Sequence, residues 1–420
     1  MKNKNAVLKI LAELCRLLIG VVFIFSGFVK AVDPMGGAIK IGEYLASFGL
    51  DMLQPFTVLL SFNLSAIEFT LGVCMLLGVY RRYVSFLILI FMAFMTPLTL
   101  YLALFDPVSD CGCFGDALVI SNWETFFKNI VLSLAAIDNQ RLFQCFTFRA
   151  YWFVALYAYL FGVGFAYYNY NHLPVIDFRP YKIGANIPKL MEMPEEAPQD
   201  EYKYTFVYEK DGVKKEFSLE DYPANDSSWT FVDSKTELVK KGYQPPVAAF
   251  NIYNGKGDDV TEEIIGNPGP VLLLVAPKLE EADDEQMDEI NGVYDYALEH
   301  DIPFYCVTGS SPEAIDTWSD NTGAEYPFRM ADEVLLKTII RSNPGLVLLK
   351  GGTILGKWHY NDIPAEEEVK AVMDRCLGES NIKSKEDGTL ATNLLTFTVP
   401  LLLVWMYDLL RFRRKRKEKK

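Results

Sequence analysis

The chain has 420 residues, 50% of them hydrophobic and 22% charged, with a formal net charge of −14 and a slightly positive mean hydropathy. That is too apolar for an ordinary soluble domain and too charged for a pure membrane bundle, so a membrane part and a soluble part share the chain. The acids are segregated: the first 170 residues are poor in them, and Glu192 to Asp387 is rich in them. This excludes nucleic acid as a partner of the acidic stretch, because phosphate contacts need clustered Lys and Arg.

In chain order, six stretches are apolar enough to cross roughly 30 Å of hydrocarbon, or nearly so. They run from Ile10 to Val29, Phe56 to Val79, Tyr83 to Phe105, Trp123 to Ile137, Tyr151 to Tyr168 and Leu390 to Leu410. The first is expected to stay uncleaved, since "SGFVKAVDP" offers no small-residue cleavage pattern and another span follows soon. The fourth is short and carries Glu124 and Lys128, so it must begin at the interface. Basic residues set the orientation. Lys2, Lys4 and Lys9, then Arg81 and Arg82, then Arg141 and Arg149, and finally the eight basic residues of Arg411 to Lys420 all fall on one side if the spans alternate. With that side cytoplasmic, both termini are cytoplasmic and Ala31 to Pro55, Asp106 to Asn122 and Asn169 to Thr389 face outward. The predicted home is a bacterial cytoplasmic membrane, with 171–389 periplasmic or extracytoplasmic. Gly36-Gly37 reads as a loop signal.

Asp177 to Gln199, rich in Pro, Glu and Met without a sustained period, reads as a linker. "YKYTFVYEKDGVKKEFSL" alternates around Asp211-Gly212 as a β-hairpin does, and "YPANDSSW" from Tyr222 to Trp229 is turn chemistry. Glu201 to Tyr243 is therefore a small strand-rich insert. Next come "PVAAFNIYNGKGDDV" as a hairpin, "PVLLLVAP" as a buried strand, Glu280 to His300 as a helix and "PFYCVTG" as a second buried strand. A helix over Pro312 to Asn321, "LVLLKGGTILGKW" as a hairpin and a helix over Ala365 to Leu377 complete an α/β order.

That order, with "NPGLVLLKGGTILGKW", resembles the thioredoxin superfamily over about Gly242 to Gly378, and the resemblance makes Pro344 the candidate cis-proline. The redox Cys-x-x-Cys of that family belongs after "VLLLVAP", where this chain has "KLEEADDEQ". Without a thiol there the usual dithiol chemistry is missing, and a binding module is the more plausible role. Cys306 and Cys376 read first as structural thiols and second as a mutual disulfide. Trp318, Tyr326 and Trp358 read first as core aromatics and second as walls of a peptide groove beside Pro344.

The membrane region has its own signature. "RLLIGVVFIFSGFVKAVDP", "SAIEFTLGVCMLLGVYRR" and "DCGCFGD" resemble the DoxX-like superfamily, and more narrowly its branch related to the methylamine-utilisation protein MauE. The resemblance implies a four-helix bundle over about the first 140 residues, broadly like quinone-linked disulfide-forming proteins, with a part in disulfide-dependent maturation of exported proteins. A quinone is the one cofactor it suggests.

From the residues themselves, Cys111 and Cys113 at i and i+2 can close a small strained ring, with Gly112 easing the turn. Strain makes a disulfide easier to reduce. Asp110 and Asp116 would raise the thiol pKa values, and Lys30 and Lys128 could offset them. Redox exchange, a structural loop staple and metal binding with Asp110 or Asp116 all stay open; with no histidine near and no diagnostic spacing, no metal is expected. Glu68 lies alone in the second span and is a candidate proton-relay or quinone-site carboxylate, or a structural carboxyl. Glu13 and Arg16 are spaced to neutralise each other.

The expected fold class is a multi-pass α-helical membrane bundle plus an exported α/β thioredoxin-like domain with a small β-rich insert. The expected division is 1–140 bundle, 141–170 fifth span, 171–242 linker and insert, 243–378 thioredoxin-like domain, 379–389 linker, 390–410 last span and 411–420 basic tail. The expected role is thiol-disulfide exchange, as a possible oxidoreductase, with exported clients or a periplasmic thiol-redox partner. A non-catalytic scaffold is the alternative. A transporter is less favoured, because paired interrupted helices are missing.

Overall fold

The computed structural model describes residues 2–108, 110–137, 151–194, 197–198, 201–210, 212–219, 221, 228–240, 242–378 and 385–417. Arg141, Arg149, Asp211, most of the 222–229 turn, part of the 379–389 linker and the last three residues of the basic tail lie outside them.

The first half of the molecule is helical. Helix α1 spans Lys2–Val32, α2 Pro34–Ser47, α3 Thr57–Leu77, α4 Arg81–Phe105, α5 Asn122–Ile137 and α6 Tyr151–Asn171. Five apolar segments among the described residues are long enough to cross a membrane: Ile10–Val32, Asp51–Leu77, Arg81–Phe105, Tyr151–Asn171 and, near the C-terminus, Ala391–Leu410. The chain is thus a multi-pass membrane protein. The expected fourth span falls short, since α5 has 16 residues and so about 24 Å of rise. The expected loop after the first span is also corrected, because Gly36 and Gly37 lie inside α2. Asp33 caps that helix by accepting from Gly36 N at 2.9 Å, and Pro34 supplies the preset φ of a first helical residue.

Helices α1 and α3 make the tightest crossing. A Cβ on Gly27 would stand 2.4 Å from Phe69 N, and one on Gly72 would stand 2.5 Å from Ile24 N. Only hydrogen at these two positions lets the backbones approach, as in other small-residue membrane crossings. Ile19, Phe23, Phe69, Val73 and Met75 fill the space around the crossing. Glu13 pairs with Arg16 at 2.8 Å, and Arg16 also donates to Leu76 O at 2.9 Å, tying the other end of the same two helices.

The second half opens with α7 (Ile187–Met191) and a three-stranded antiparallel sheet of β1 (Glu201–Lys210), β2 (Val213–Ser218) and β3 (Thr230–Lys240), in the order β2-β1-β3. The expected linker is only in part a linker: Tyr181 and Ile187 are buried in the core of the domain that follows. After α8 (Thr261–Ile265) come β4 (Pro270–Ala276), α9 (Met287–Glu299), β5 (Phe304–Thr308), α10 (Pro312–Thr322), β6 (Phe328–Met330), α11 (Glu333–Ile339), β7 (Gly345–Lys350), β8 (Thr353–His359) and α12 (Glu366–Gly378). Helix α13 (Lys385–Lys417) contains the last apolar segment and packs Phe397 against Phe69 and Phe161.

The five strands β4 to β8 form one sheet in the order β6-β5-β4-β7-β8. β4 and β5 run parallel, β4 and β7 antiparallel, β7 and β8 antiparallel. A parallel β-α-β unit followed by an antiparallel hairpin on the other side of its first strand is the thioredoxin arrangement. The alternation in β4 shows why this sequence builds it: Val271, Leu273 and Val275 enter the core on one face, and Leu272, Leu274 and Ala276 enter the core on the other. Each such side chain contributes roughly 1.5–3 kcal/mol by leaving water.

Two expectations shift here. "PVAAFNIYNGKGDDV" makes only a Tyr253–Asp259 bridge, without a named strand. The helix expected from Glu280 begins at Met287, because Leu279–Glu281 forms a 3-10 turn. Trp318 and Tyr326 are core residues, with Trp318 Nε1 donating to Tyr326 Oη at 3.1 Å, and Trp358 packs against the same cluster.

Candidate functional site

The Cys111–Cys113 loop leaves α4 at Asp106 and enters α5 at Asn122. Asn122 closes it, donating from Nδ2 to Asp106 Oδ1 and to Val108 O, both at 3.0 Å. Inside it Gly112 has φ +63°, a conformation that glycine adopts without strain. Its amide donates to Asp110 Oδ1 at 2.8 Å. Asp110 also pairs with Lys40 of α2 at 3.2 Å. The turn brings Cys111 Sγ and Cys113 Sγ to 2.9 Å, as free thiols, each less than a tenth exposed at 6% and 8%.

Each cysteine is held through its backbone by a different helix. Tyr44 of α2 donates to Cys111 O at 2.5 Å, and Ser26 of α1 donates to Cys113 O at 2.7 Å. Ser26 also bonds Glu68 Oε2 at 2.7 Å. Lys30, one turn along from Ser26, reaches Glu68 Oε1 at 2.7 Å and Oε2 at 2.8 Å, and Ser26 Oγ at 3.2 Å. Glu68, which the sequence leaves without a partner, therefore sits in an ion pair with Lys30. Its side chain is only 3% exposed. The close α1–α3 crossing at Gly27 and Gly72 lets these short reaches meet.

Beside Cys113 lies a small cavity of about 30 Å³, bordered by Ser26, Lys30, Glu68, Cys113, Lys128 and Asn129 on its polar side. Phe23, Phe91, Met92 and Met95 form the apolar side. Lys128 lies over the Phe114 ring at 4.2 Å. The cavity takes one or two waters, and is well below the ~150 Å³ that accommodates a benzene ring.

The two thiols differ electrostatically. Cys113 is held below the usual thiol range, first by its hydrogen bond from Cys111 and then by Lys128 and Lys30, which outweigh burial. Cys111 is pushed the other way by that same bond and by burial. The loop thus contains one thiol disposed to ionise and one disposed to keep its proton.

Asp116, expected to oppose ionisation, has a different partner. Arg341 Nη2 lies 3.4 Å from Asp116 Oδ2, and 2.9 Å from Asp33 Oδ2. Burial favours the protonated form of Asp33, yet Arg341 and Arg179 hold its carboxyl below the usual range. Burial raises Asp116. Arg341 comes from the thioredoxin-like domain, three residues before the cis Asn343–Pro344 peptide, so that domain and the cysteine loop meet at one end of the helical unit.

The site therefore joins Cys111, Cys113, Glu68, Lys30 and Lys128, with Asp110 and Asp116 on its rim. Pro344, the expected cis-proline, is preceded by a cis peptide bond and lies in the loop that brings Arg341. Cys306 is a separate thiol buried in the thioredoxin-like domain, and burial pushes its pKa up. Sequence reasoning missed Ser26, Lys40, Tyr44 and Arg341. Ser26 alone had a local signal, its i, i+4 spacing from Lys30.

Comparison with known proteins bears on each region separately. Residues 8–138 match the methylamine utilisation protein MauE family, and residues 202–241 match a domain of unknown function, DUF8463. No curated protein matches the chain. Among solved structures it is similar to the solution structure of a candidate protein disulfide isomerase from Bacteroides thetaiotaomicron, at 17% identity over 31% of this chain and 86% of that one, with a TM-score of 0.25. The fold assignment rests on the strand order and not on that similarity.

Proposed function

We propose that the chain is a protein of the bacterial cytoplasmic membrane that exchanges thiols and disulfides with exported proteins through Cys111 and Cys113. The observation that carries this reading is the pair of touching sulfurs beside a buried Lys30–Glu68–Ser26 network. Buried ionised groups in a membrane protein are costly and mark functional sites. The MauE match over the helical unit agrees with a role in exported-protein maturation, and the basic clusters favour an extracytoplasmic loop.

In the exchange, a client thiolate attacks Cys111 Sγ of the oxidised pair, forming a mixed disulfide and breaking the Cys111–Cys113 bond. Cys113 leaves as the thiolate, since the lower-pKa sulfur is the better leaving group, and Lys30 and Lys128 offset its charge. A second client thiolate attacks the client sulfur of the mixed disulfide and releases Cys111. The client loses two electrons and two protons, and the pair gains both. The small cavity lets a water carry protons between Cys113 and the Lys30–Glu68 pair. No step is routed through a quinone. The thioredoxin-like domain, without thiols of its own at the family position, holds clients near the loop, and tethering makes millimolar local concentrations available to weak binding.

The test is the Cys113→Ser variant presented with an oxidised client: the Cys111 thiolate opens the client disulfide, the reverse of the second step, releasing the other client sulfur as a thiolate, and with no Cys113 to displace it the client adduct should accumulate on Cys111, read by mass spectrometry. No adduct, together with unchanged envelope thiol status in the Cys111→Ser, Cys113→Ser double variant, would reject exchange. The burial of both sulfurs favours a second reading, a loop staple in a membrane scaffold; on that reading the double variant loses stability but complements a deletion.

A further inference from the structure

We propose that Arg341, supplied by the thioredoxin-like domain, is a positioning residue for the Cys111–Cys113 loop. The inference rests on the exchange reading above and assigns the domain a second role, completing the site from outside the helical unit.

Arg341 holds two carboxylates that bracket the loop's supports. Its Nε lies 3.1 and 3.0 Å from the two oxygens of Asp33, and its Nη2 lies 2.9 Å from Asp33 Oδ2. This fork engages the residue that caps α2, the helix that brings Tyr44 to Cys111 O and Lys40 to Asp110. The same Nη2 reaches Asp116, three residues past Cys113. On its own side, Nη1 donates to Lys337 O at 2.6 Å, so the guanidinium is fixed from both directions and its side chain is only 11% exposed. One rigid planar group therefore links α2, the turn after Cys113 and the loop before Pro344. Bidentate geometry of this kind is specific to Arg and is not reproduced by Lys.

The contact holds the loop without covering the sulfurs. Their packing neighbours, Leu102, Val108, Tyr44, Met95 and Tyr101, all belong to the helical unit. The charged groups around Cys113 are Lys30 on α1, Glu68 on α3 and Lys128 on α5, with Cys111 beside it. Around Cys111 stand Tyr44 and, through Asp110, Lys40 of α2. A loop that shifts away from Lys30 and Lys128 loses the groups that favour the Cys113 thiolate.

The experiment uses the reduced full-length protein in lipid nanodiscs. The rate of Cys113 alkylation by iodoacetamide is followed against pH by peptide mass spectrometry. Arg341→Ala is expected to move the midpoint of that profile upward by about one pH unit, and Arg341→Lys, which keeps the charge but not the fork, by less. Asp116→Asn, which leaves the Asp33 fork in place, should move it least. An unchanged midpoint in Arg341→Ala, in a protein whose thermal unfolding matches the parent, overturns the inference. Failure of the exchange reading shows separately, as a wild-type pair whose disulfide does not exchange with reduced glutathione.

Discussion

The helical unit and the thioredoxin-like domain treat charge in opposite ways at the places where thiol chemistry would be expected. In the helical unit, Lys30 and Glu68 meet at 2.7 Å with side chains 11% and 3% exposed, next to the sulfurs. In the thioredoxin-like domain the position that follows β4 has no cysteine, and Lys278 pairs there with Glu281 at 3.1 Å in open solvent. Glu280 bonds Ser310 at 2.6 Å beside it. Burying an ion pair carries a desolvation penalty of several kcal/mol per ion, whereas a solvated pair carries almost none and contributes almost nothing. The contrast teaches that the domain with the thioredoxin-like strand order and the unit with the paired sulfurs are different parts of this chain, joined by Arg341.

The sharpest way to break this comparison is to remove one charge from the buried pair. Glu68→Gln strands the Lys30 ammonium and should cost about 3–5 kcal/mol, seen as a lower thermal unfolding temperature in detergent. Adding Lys30→Met should recover most of that loss while leaving thiol exchange impaired; full recovery of exchange would make the pair purely structural. A smaller effect is expected at the crossing that brings the pair together. Gly27→Ala places a methyl where 2.4 Å is available, and should cost about 1–3 kcal/mol, with Cys113 alkylation altered as Ser26 moves. The smallest effect belongs to the solvated pair. Lys278→Ala should change stability by less than about 1 kcal/mol and leave Cys113 reactivity as it is, and a large change there would erase the distinction between the two regions.

Much of the fold could be read from local pattern. The long apolar runs mark the spans, and the short unbroken apolar run from Val271 to Ala276 marks a strand buried on both faces. The failures have physical causes. Gly36-Gly37 suggested a loop, but the Asp33 cap and Pro34 start a helix that two glycines do not stop. Tyr181 and Ile187 sit in a Pro-rich stretch that looks like a linker, yet they fill a core whose other walls come from far along the chain.

The sequence by itself determined which side chains are available: a close cysteine pair, an acid in the second apolar span, a basic residue at the end of the first, and a thioredoxin order without thiols at the family position. These are properties of composition, spacing and period, and they need no partner to be visible. Only the tertiary structure decided that Lys30 belongs to Glu68, that Ser26 bridges Glu68 and the Cys113 backbone, and that Arg341 answers Asp33 across 308 residues. Such pairings depend on how closely two helices or two regions approach, and that distance is set by packing over the whole molecule, which no local window contains.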